Sequence, residues 1–380
     1  MRIALFSGNY NYLREGANQA LNRLVGWLEG TAGHQVRVYS PVTETPAFEP
    51  AGTLVPVPSI KLPVRGEFQL ALGLPSATRR DIARFDPDII HVATPDILGT
   101  RAQSFAKALG VPIVASQHTL FETYLDHYGL GWLRPLAEAH LARFYRRSDH
   151  VLVPTDALAA DMGRLRGDDA VSVWSRGVDR ALFNPARRDP AWRRAQGIGD
   201  NEIAILFFGR LVREKGVAQF LSVTGRLRRQ GLPVRALVVG EGPARGDFGV
   251  LADAVMTGHL EGESLARAVA SADIFYHPSM TETFGNVVLE AMAAGLPIVA
   301  ADAPGSRALL DDGDVGRLYP STDLDAACDA MAAFVTSPAL RRAMGDRARE
   351  RSALYAWDAA SAAVERVYQA MQKGRHQRPS

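Results

Sequence analysis

Two glutamates follow one short apolar run at positions that suit recognition of a polyol. Glu282 and Glu290 are separated by seven residues, and both come after the apolar run 273–277. Gly285-Asn286 opens a helical pattern, so Glu282 falls in the loop and Glu290 lies about one turn inside the helix. These carboxylates can accept hydrogen bonds from a polyol, and the helix N-terminus offers N–H groups to an anion. The alternative is a buried, locally capped Glu290 and a solvated Glu282.

A glycine-bounded turn with several cations follows a second apolar run, 204–208. The turn has the sequence Gly-Arg-Leu-Val-Arg-Glu-Lys-Gly over 209–216 and leads into an amphipathic stretch, 217–228. Backbone N–H groups at the start of that helix, with Arg210 and Lys215, suit a phosphate or diphosphate. A solvated loop with chance cations has the same pattern, so the turn alone leaves both interpretations open.

Both loops belong to a chain in which short apolar runs alternate with longer helical patterns, which is typical of βαβ units around parallel sheets. We therefore predict an α/β fold with an open sheet in each half. Ligands of such sheets bind beyond the carboxyl ends of the strands, where these loops lie. The predicted strands are Arg2–Phe6, Gln35–Ser40, Ile89–Val92, Pro112–Ser116, His150–Pro154, Ala204–Phe208, Ala236–Val239, Asp273–His277 and Pro297–Ala300.

The length of 380 residues predicts two domains of roughly 150 to 200 residues each. Gly, Pro and polar residues concentrate between the two sets of strands, as in a connector. We predict an N-terminal domain over 1–177, a connector over 178–199 and a C-terminal domain over 200–354.

The composition is that of a soluble globular protein, with 47% hydrophobic and 22% charged residues. Because 43 Lys and Arg face 41 Asp and Glu, a broad nucleic-acid surface is not expected. The single Cys328 cannot form an intrachain disulfide and fits a reducing cytoplasm. The apolar start, 1–6, is too short for a signal peptide, and no stretch approaches the roughly 20 apolar residues of a spanning helix. We expect a cytoplasmic protein that contacts membranes only peripherally.

Taken in order, these motifs resemble those of the retaining nucleotide-sugar glycosyltransferases of family 4, whose Glu-x7-Glu signature Glu282 and Glu290 match. The resemblance covers nearly the whole chain and implies the GT-B fold, in which two Rossmann-like domains hold parallel sheets that face each other across a cleft. It also implies that a C-terminal helix, 355–371, packs back on the N-terminal domain. The other matching segments are 87–91, 116–119, Ser175-Arg176-Gly177-Val178-Asp179, Phe183-Asn184-Pro185, 209–216, Val239-Gly240-Glu241-Gly242-Pro243 and 258–260.

The resemblance implies a set of site residues. His118, Glu282, Arg210 and Lys215 would be catalytic, with His118 contacting the donor sugar across the cleft from Glu282. Without the resemblance, a lone histidine is usually a packed or surface residue. The donor-binding residues implied are Gly209, Arg210, Lys215, Gly240, Gly258, His259, Leu260, Glu282, Phe284, Gly285, Asn286 and Glu290.

The first loop departs from the family pattern. Many relatives have a glycine pair before the first helix, whereas here Ser7-Gly8-Asn9-Tyr10 is followed by Arg14-Glu15-Gly16. We assign Gly8 and Gly16 to an acceptor-side loop, where a residue without a side chain lets a substrate approach the backbone.

We expect no cofactor and no metal, because Arg210, Lys215 and a helix terminus can neutralise a leaving diphosphate. Two acidic pairs, 86–88 and 312–314, superficially resemble a metal site, but the first leads into a strand and the second is typical of a turn.

The segment 118–132 resembles the branch of the family that contains sulfolipid synthases and bacterial lipid mannosyl- or glucuronosyltransferases. Cations alternate with apolar residues over 60–65, and Arg79 and Arg80 follow, a pattern that suits either an anionic membrane surface or an ordinary solvated face.

The sequence therefore predicts a retaining glycosyltransferase that moves a sugar from a UDP- or GDP-sugar to an acceptor hydroxyl, on a membrane glycolipid precursor. One alternative is a soluble or polysaccharide acceptor, another is a GT-B phosphorylase or epimerase-like enzyme, and a third is a nucleotide-sugar-binding protein without catalysis. The phosphorylase is disfavoured because it needs a lysine for pyridoxal phosphate and this chain has few.

Overall fold

The computed structural model describes residues 1–13, 15–61, 69–119 and 131–376. The chain forms two compact units, one of Met1–Arg176 with Trp357–Ser380 and the other of Gly177–Ala356. The segment 178–199, predicted as a connector, lies in the second unit.

The N-terminal unit is built on a sheet of parallel strands. Because the strands are parallel, their carboxyl ends lie at the same edge of the sheet. Within the described ranges this sheet has seven strands in the order β3-β2-β1-β6-β7-β8-β9, and β4 and β5 form a separate antiparallel pair. The strands are β1 Arg2–Phe6, β2 Gln35–Ser40, β3 Thr53–Pro56, β4 Ser59–Lys61, β5 Gln69–Ala71, β6 Ile89–Val92, β7 Ile113–Ser116, β8 His150–Val153 and β9 Val171–Val173.

Helices cover both faces of this sheet and complete its apolar cores. Asp96 caps one of them, since its Oδ1 accepts a hydrogen bond from the Gly99 N–H at 2.7 Å. The C-terminal helix packs on the first helix and on β6, with Val364 and Tyr368 fully buried. The helices are α1 Gly16–Gly30, α2 Ser76–Phe85, α3 Ile97–Leu109, α4 Arg134–Arg146, α5 Asp156–Arg166 and, at the end of the chain, α13 Trp357–His376.

The C-terminal unit repeats this plan. Its described residues form a six-stranded parallel sheet in the order β12-β11-β10-β13-β14-β15, with an apolar core on each face. The elements are α6 Pro190–Ala195, β10 Ile203–Phe208, α7 Val217–Arg229, β11 Val234–Val239, β12 Val255–Gly258, α8 Gly262–Ala270, β13 Ile274–His277, α9 Asn286–Ala293, β14 Ile298–Ala301, α10 Pro304–Leu310, β15 Arg317–Tyr319, α11 Leu324–Thr336 and α12 Pro338–Ser352.

The α/β prediction is confirmed, and each of the nine predicted strands is present with ends within two residues of those expected. The pattern missed β3, β9, β12 and β15, which are the edge strands of the two sheets. It also missed the β4–β5 pair. Cys328 is buried on α11, at 5% exposure.

Arg193, on the short helix α6, ties the segment after Gly177 to the second sheet. Its guanidinium is buried and donates to the Ser271 carbonyl at 2.6 Å, to Asp273 Oδ2 at 2.8 Å and to the Glu202 carbonyl at 2.8 Å. Asp273 in turn accepts from the Ala204 N–H at the start of β10, at 2.7 Å.

We predict that Arg193→Ala destabilises the second unit by about 3 kcal/mol, because it leaves a buried carboxylate and two carbonyls short of donors. The neighbouring Arg194 pairs with Asp200 at the surface, so Arg194→Ala should cost below about 1 kcal/mol. Urea denaturation measures the free energy of unfolding of each variant, and amide hydrogen exchange in β10 and β13 locates the loss in the second unit. Equal losses in the two variants would contradict the structural role of Arg193.

Candidate functional site

The predicted diphosphate turn lies directly after β10. Gly209 has φ 138°, and a single 3-10 turn, Arg213–Lys215, leads to Gly216 with φ 78°. A Cβ on Gly216 would lie 2.7 Å from the carbonyl oxygen of Pro278. The turn therefore packs against the loop that follows β13, and only glycine permits that approach.

This packing brings Lys215 to the first glutamate of the pair. Lys215 Nζ donates to Glu282 Oε1 at 2.6 Å, with both side chains about four-fifths buried. Burial raises the pKa of Glu282, but the charges of Lys215, His277 and Arg210 outweigh burial and hold this pKa below its ordinary value. The site thus contains an ionised carboxylate against an ammonium group.

The second glutamate lies on α9, as the sequence predicts. Gly285 adopts φ 95° and precedes the helix, and Glu290 is partly exposed. Phe284 is buried and packs edge-to-face on Tyr355, with ring centroids 5.8 Å apart. A Cβ on Gly305 would lie 2.7 Å from the Phe284 carbonyl oxygen, so α10 supports this loop by direct backbone contact.

The predicted nucleotide-side residues lie at the ends of β11 and β12. Gly240 has φ 143°, and a Cβ there would overlap the carbonyl oxygen of Gly209. Its N–H donates to the Gly258 carbonyl at 2.9 Å. His259 is exposed and lies 2.6 Å from Glu261 Oε1, while Leu260 packs against the core. Gly209, Gly240 and Gly258 are therefore neighbours at one edge of the sheet.

The structure adds His277, the last residue of β13, to the groups beside Glu282, although no sequence motif singles it out. It is buried, and its Nε2 has no hydrogen-bond partner among the described residues. Burial lowers the pKa of His277 to about 4, with Glu282 and Lys215 close enough to act on it in opposite directions. Its position at the carboxyl end of a central strand was the available signal.

His118 belongs to the N-terminal unit, in the loop after β7. Arg176 Nη2 donates to its Nδ1 at 2.9 Å, and its Nε2 lies 2.8 Å from Ser116 Oγ. The Trp174 ring meets the imidazole edge-on, with centroids 5.2 Å apart. Burial, then the Arg176 charge, holds the pKa of His118 well below its usual range. His118 is therefore neutral and held on both ring nitrogens.

The first loop gives its two predicted glycines different surroundings. The Gly8 N–H donates to Thr94 Oγ1 at 2.9 Å, and a Cβ at Gly8 would overlap Asp96 Oδ2. Gly16 is the exposed first residue of α1. Arg14 lies outside the described residues.

Exposed apolar side chains of the N-terminal unit lie around the β4–β5 pair and the starts of α3 and α4. Arg79 and Arg80, on α2, are also exposed, and Arg79 donates to the Leu74 carbonyl at 2.9 Å. Leu62, Val64 and Arg65 of the predicted membrane contact, and residues 120–130, lie outside the described residues. The exposed apolar residues are Ile60, Leu72, Ile97, Trp132 and Leu136.

Residues 1–13, 15–61, 69–119 and 131–376 contain no group of three or more His, Cys, Asp or Glu side chains that could hold a metal ion. None of their helices could span a lipid bilayer.

Two family descriptions match the chain. "Glycosyltransferase Family 4" matches residues 14–182 and "Glycosyl transferases group 1" matches residues 188–351. The sequence resemblance to this family is confirmed.

Curated relatives align over most of the chain. A GDP-mannose-dependent alpha-mannosyltransferase of Mycolicibacterium smegmatis is 34% identical over 94% of this chain and 94% of its own length. Sulfoquinovosyl transferase SQD2 of Arabidopsis thaliana is 33% identical over 80% of this chain, which spans 61% of that relative. A phosphatidyl-myo-inositol mannosyltransferase of M. smegmatis is 32% identical over 89% of this chain and 86% of its own length.

Among solved structures, sucrose-phosphate synthase from Thermosynechococcus elongatus superposes with a TM-score of 0.79 at 20% identity, covering 98% of this chain and 99% of that one. This likeness supports the fold, which is the GT-B fold that the sequence resemblance implied.

We predict that Lys215→Met raises the pKa of Glu282, because Lys215 is the strongest charge that lowers it. A carboxyl group with a depressed folded pKa contributes stability above its unfolded pKa and loses it as pH falls through the folded value. The stability advantage of the wild type over Lys215→Met should therefore be complete at pH 7 and shrink below the ordinary value of 4.5.

Carbon-13 NMR titration of the Glu282 carboxyl carbon, with urea unfolding at each pH, measures both effects. Lys215→Arg keeps the positive charge and serves as the control. A Glu282 titration that is the same in wild type and Lys215→Met would contradict the coupling.

Proposed function

Since this chain belongs to glycosyltransferase family 4, we propose that it is a retaining, metal-independent hexosyltransferase. It moves a sugar from a UDP- or GDP-sugar to the hydroxyl of a membrane glycolipid precursor. The bond between the anomeric carbon and the diphosphate breaks, and its electron pair leaves on a phosphate oxygen. The acceptor oxygen bonds to the anomeric carbon and releases its proton.

The Lys215–Glu282 pair is the observation that carries this proposal. Lys215 lies at the end of a glycine-bounded turn, near the N-terminus of α7, with Arg210 in the same turn. Two cations and free N–H groups at one place stabilise the charge that develops on a leaving diphosphate. This supply of positive charge is also why we propose that no metal ion is needed.

The two glutamates have different roles in this proposal. Glu282 is held ionised in the loop after β13, where it can accept hydrogen bonds from sugar hydroxyls. Glu290, one turn into α9, binds the ribose of the nucleotide. Gly258, His259 and Leu260 hold the base through backbone groups, and His118 contacts the sugar.

Names of the relatives guide the choice of substrates. Because a relative that matches over nearly its whole length is named GDP-mannose-dependent, GDP-mannose is the first donor to test and UDP-hexoses come second. Another is named a phosphatidyl-myo-inositol mannosyltransferase, which supports a lipid acceptor.

A lipid acceptor presents its hydroxyl at a membrane, so we propose that the enzyme works peripherally on the inner face of the cytoplasmic membrane. The contact uses Lys61, Arg79 and Arg80 with Ile60 and Leu72, all of which are exposed. Side chains of this kind insert into the headgroup region and attract anionic lipids.

We predict that Lys215→Ala or Arg210→Ala lowers turnover at least about a hundredfold, the scale of removing one preorganised electrostatic donor. Nucleotide release from GDP-mannose and from UDP-hexoses, with and without a lipid extract and in the presence of EDTA, measures turnover. The control is Arg213→Ala, because Arg213 is an exposed cation of the same turn.

Activity of Lys215→Ala and Arg210→Ala within a factor of about three of wild type would remove the turn from the site. Tight nucleotide-sugar binding in thermal-shift assays, without hydrolysis or transfer in any mixture, would favour a non-catalytic binding protein. Transfer to a soluble saccharide alone would overturn the lipid acceptor.

We predict that the protein floats with liposomes that contain phosphatidylglycerol and not with neutral ones, and that high salt releases it. Each cation near the surface contributes about 1 kcal/mol, so replacing Lys61, Arg79 and Arg80 together with Ala should reduce binding more than about a hundredfold. A variant that loses three exposed cations of the other unit, Arg229, Arg342 and Arg347, controls for net charge. Absence of the wild type from both liposome types would contradict membrane docking.

A further inference from the structure

A line of buried hydrogen bonds runs through the N-terminal unit from the C-terminal helix to His118. Tyr368 Oη on α13 lies 2.5 Å from His91 Nδ1, and His91 Nε2 lies 2.8 Å from Ser116 Oγ. Ser116 Oγ lies 2.8 Å from His118 Nε2. His91 and Tyr368 are completely buried and Ser116 is 1% exposed. Solvent therefore cannot substitute for any of these partners.

Arg176 fixes the donor and acceptor roles at the His118 end of this line. A guanidinium only donates hydrogen bonds, so the Nδ1 of His118 that it contacts at 2.9 Å must accept. The His118 proton is then on Nε2 and is donated to Ser116 Oγ. The Ser116 hydroxyl can in turn donate to His91 Nε2, and in that arrangement the His91 proton is on Nδ1, where Tyr368 Oη accepts it.

The surroundings keep both imidazoles neutral and fixed. Burial lowers the pKa of His91 to about 3 and holds that of His118 well below its usual range. Trp174 packs edge-on against both rings, with centroids 6.2 Å from His91 and 5.2 Å from His118. The Arg176 guanidinium lies over the same indole, 4.7 Å from its centre.

We propose that Tyr368 is a positioning residue which, through His91 and Ser116, acts with Arg176 to hold His118 as the tautomer with its proton on Nε2. The consequence for catalysis rests on the proposed function, in which His118 contacts the donor sugar. A ring whose orientation and proton are fixed before the sugar binds needs no reorganisation during the reaction.

The hydroxyl of Tyr368 matters beyond the space that its ring fills. Phenylalanine would fill the same space but leave the buried His91 Nδ1–H without its acceptor. If His91 moved its proton to Nε2 in response, it would donate to Ser116, and Ser116 would donate to His118 Nε2. His118 would then carry its proton on Nδ1, facing the Arg176 donor. Tyr368→Phe therefore either leaves the His91 Nδ1–H without an acceptor or places the His118 Nδ1–H against an N–H group of Arg176.

Nitrogen-15 NMR of histidine-labelled protein tests the proposal directly, because long-range proton–nitrogen couplings identify the protonated ring nitrogen. Signals of His91 and His118 are assigned from His91→Gln and His118→Gln. We expect Nε2–H at His118 in the wild type, and a shifted or mixed tautomer in Tyr368→Phe and in Ser116→Ala, which breaks the line at another point. Tyr39→Phe is the matched control, because it removes a buried hydroxyl of the same unit that bonds Asp81 at 2.9 Å.

Turnover gives the second readout. Tyr368→Phe and Ser116→Ala should lower kcat about fivefold, the size of one net hydrogen bond, with little change in KM for the donor. Tyr39→Phe should leave both constants unchanged, and thermal unfolding identifies any loss of kcat that comes from instability alone.

A His118 tautomer that is unchanged in Tyr368→Phe and Ser116→Ala overturns the proposal. A changed tautomer with unchanged kcat overturns the catalytic role of the positioning. If the wild type transfers no sugar from any donor, the proposed function fails, while the NMR comparison still decides whether Tyr368 fixes the proton of His118.

Discussion

Parallel pairing of the strands determines where the chemical groups of this protein lie. In the C-terminal unit, β10 pairs with β11 and β13 in parallel, so the loops after all three strands meet at one edge of the sheet. Arg210 follows β10, and Glu282 follows β13. Arg210 and Glu282 need no specific contact between their side chains to lie near each other. The sheet already places the starts of their two loops one strand spacing apart, about 4.8 Å.

Loops that start this close together require glycine at the positions where their backbones touch. A Cβ at Gly240 would overlap the carbonyl of Gly209, and one at Gly242 would overlap the carbonyl of Leu211. Because both glycines also have φ near 150°, substitution would add backbone strain to the clash. The glycines therefore let the loops pack backbone against backbone, which leaves the edge open for a ligand that binds N–H groups.

The buried central strands were predictable from the sequence, and the strands at the edges of the two sheets were not. Strands such as Ile298–Ala301 are continuous apolar runs because both faces of a central strand are covered. Edge strands such as β3 and β12 are half exposed, so their sequences lack that run.

In the same way, the order of strands predicts that Lys215 and Glu282 share an edge, but only loop packing against Pro278 brings them into an ion pair. The His91–Tyr368 contact joins residues 277 positions apart, and no local pattern indicates it.

The two units keep buried polar groups by different means. In the C-terminal unit the charge on Glu282 survives burial because the cations Lys215 and Arg210 favour it, so removing Lys215 leaves a charge uncompensated. In the N-terminal unit, neutral groups of alternating donor and acceptor character extend from Tyr368 to His118, and Arg176 is the one charge in that line. Arg176 is buried; its Nη1 donates to the carbonyls of Trp174 and Ser175, and its Nη2 donates to His118 Nδ1. Burial lowers the pKa of Arg176 to about 10, which still leaves it protonated near neutral pH. Because Arg176 stays charged and both histidines stay neutral there, the proposed proton order depends on Arg176 and on the hydroxyl groups of Ser116 and Tyr368 rather than on titration.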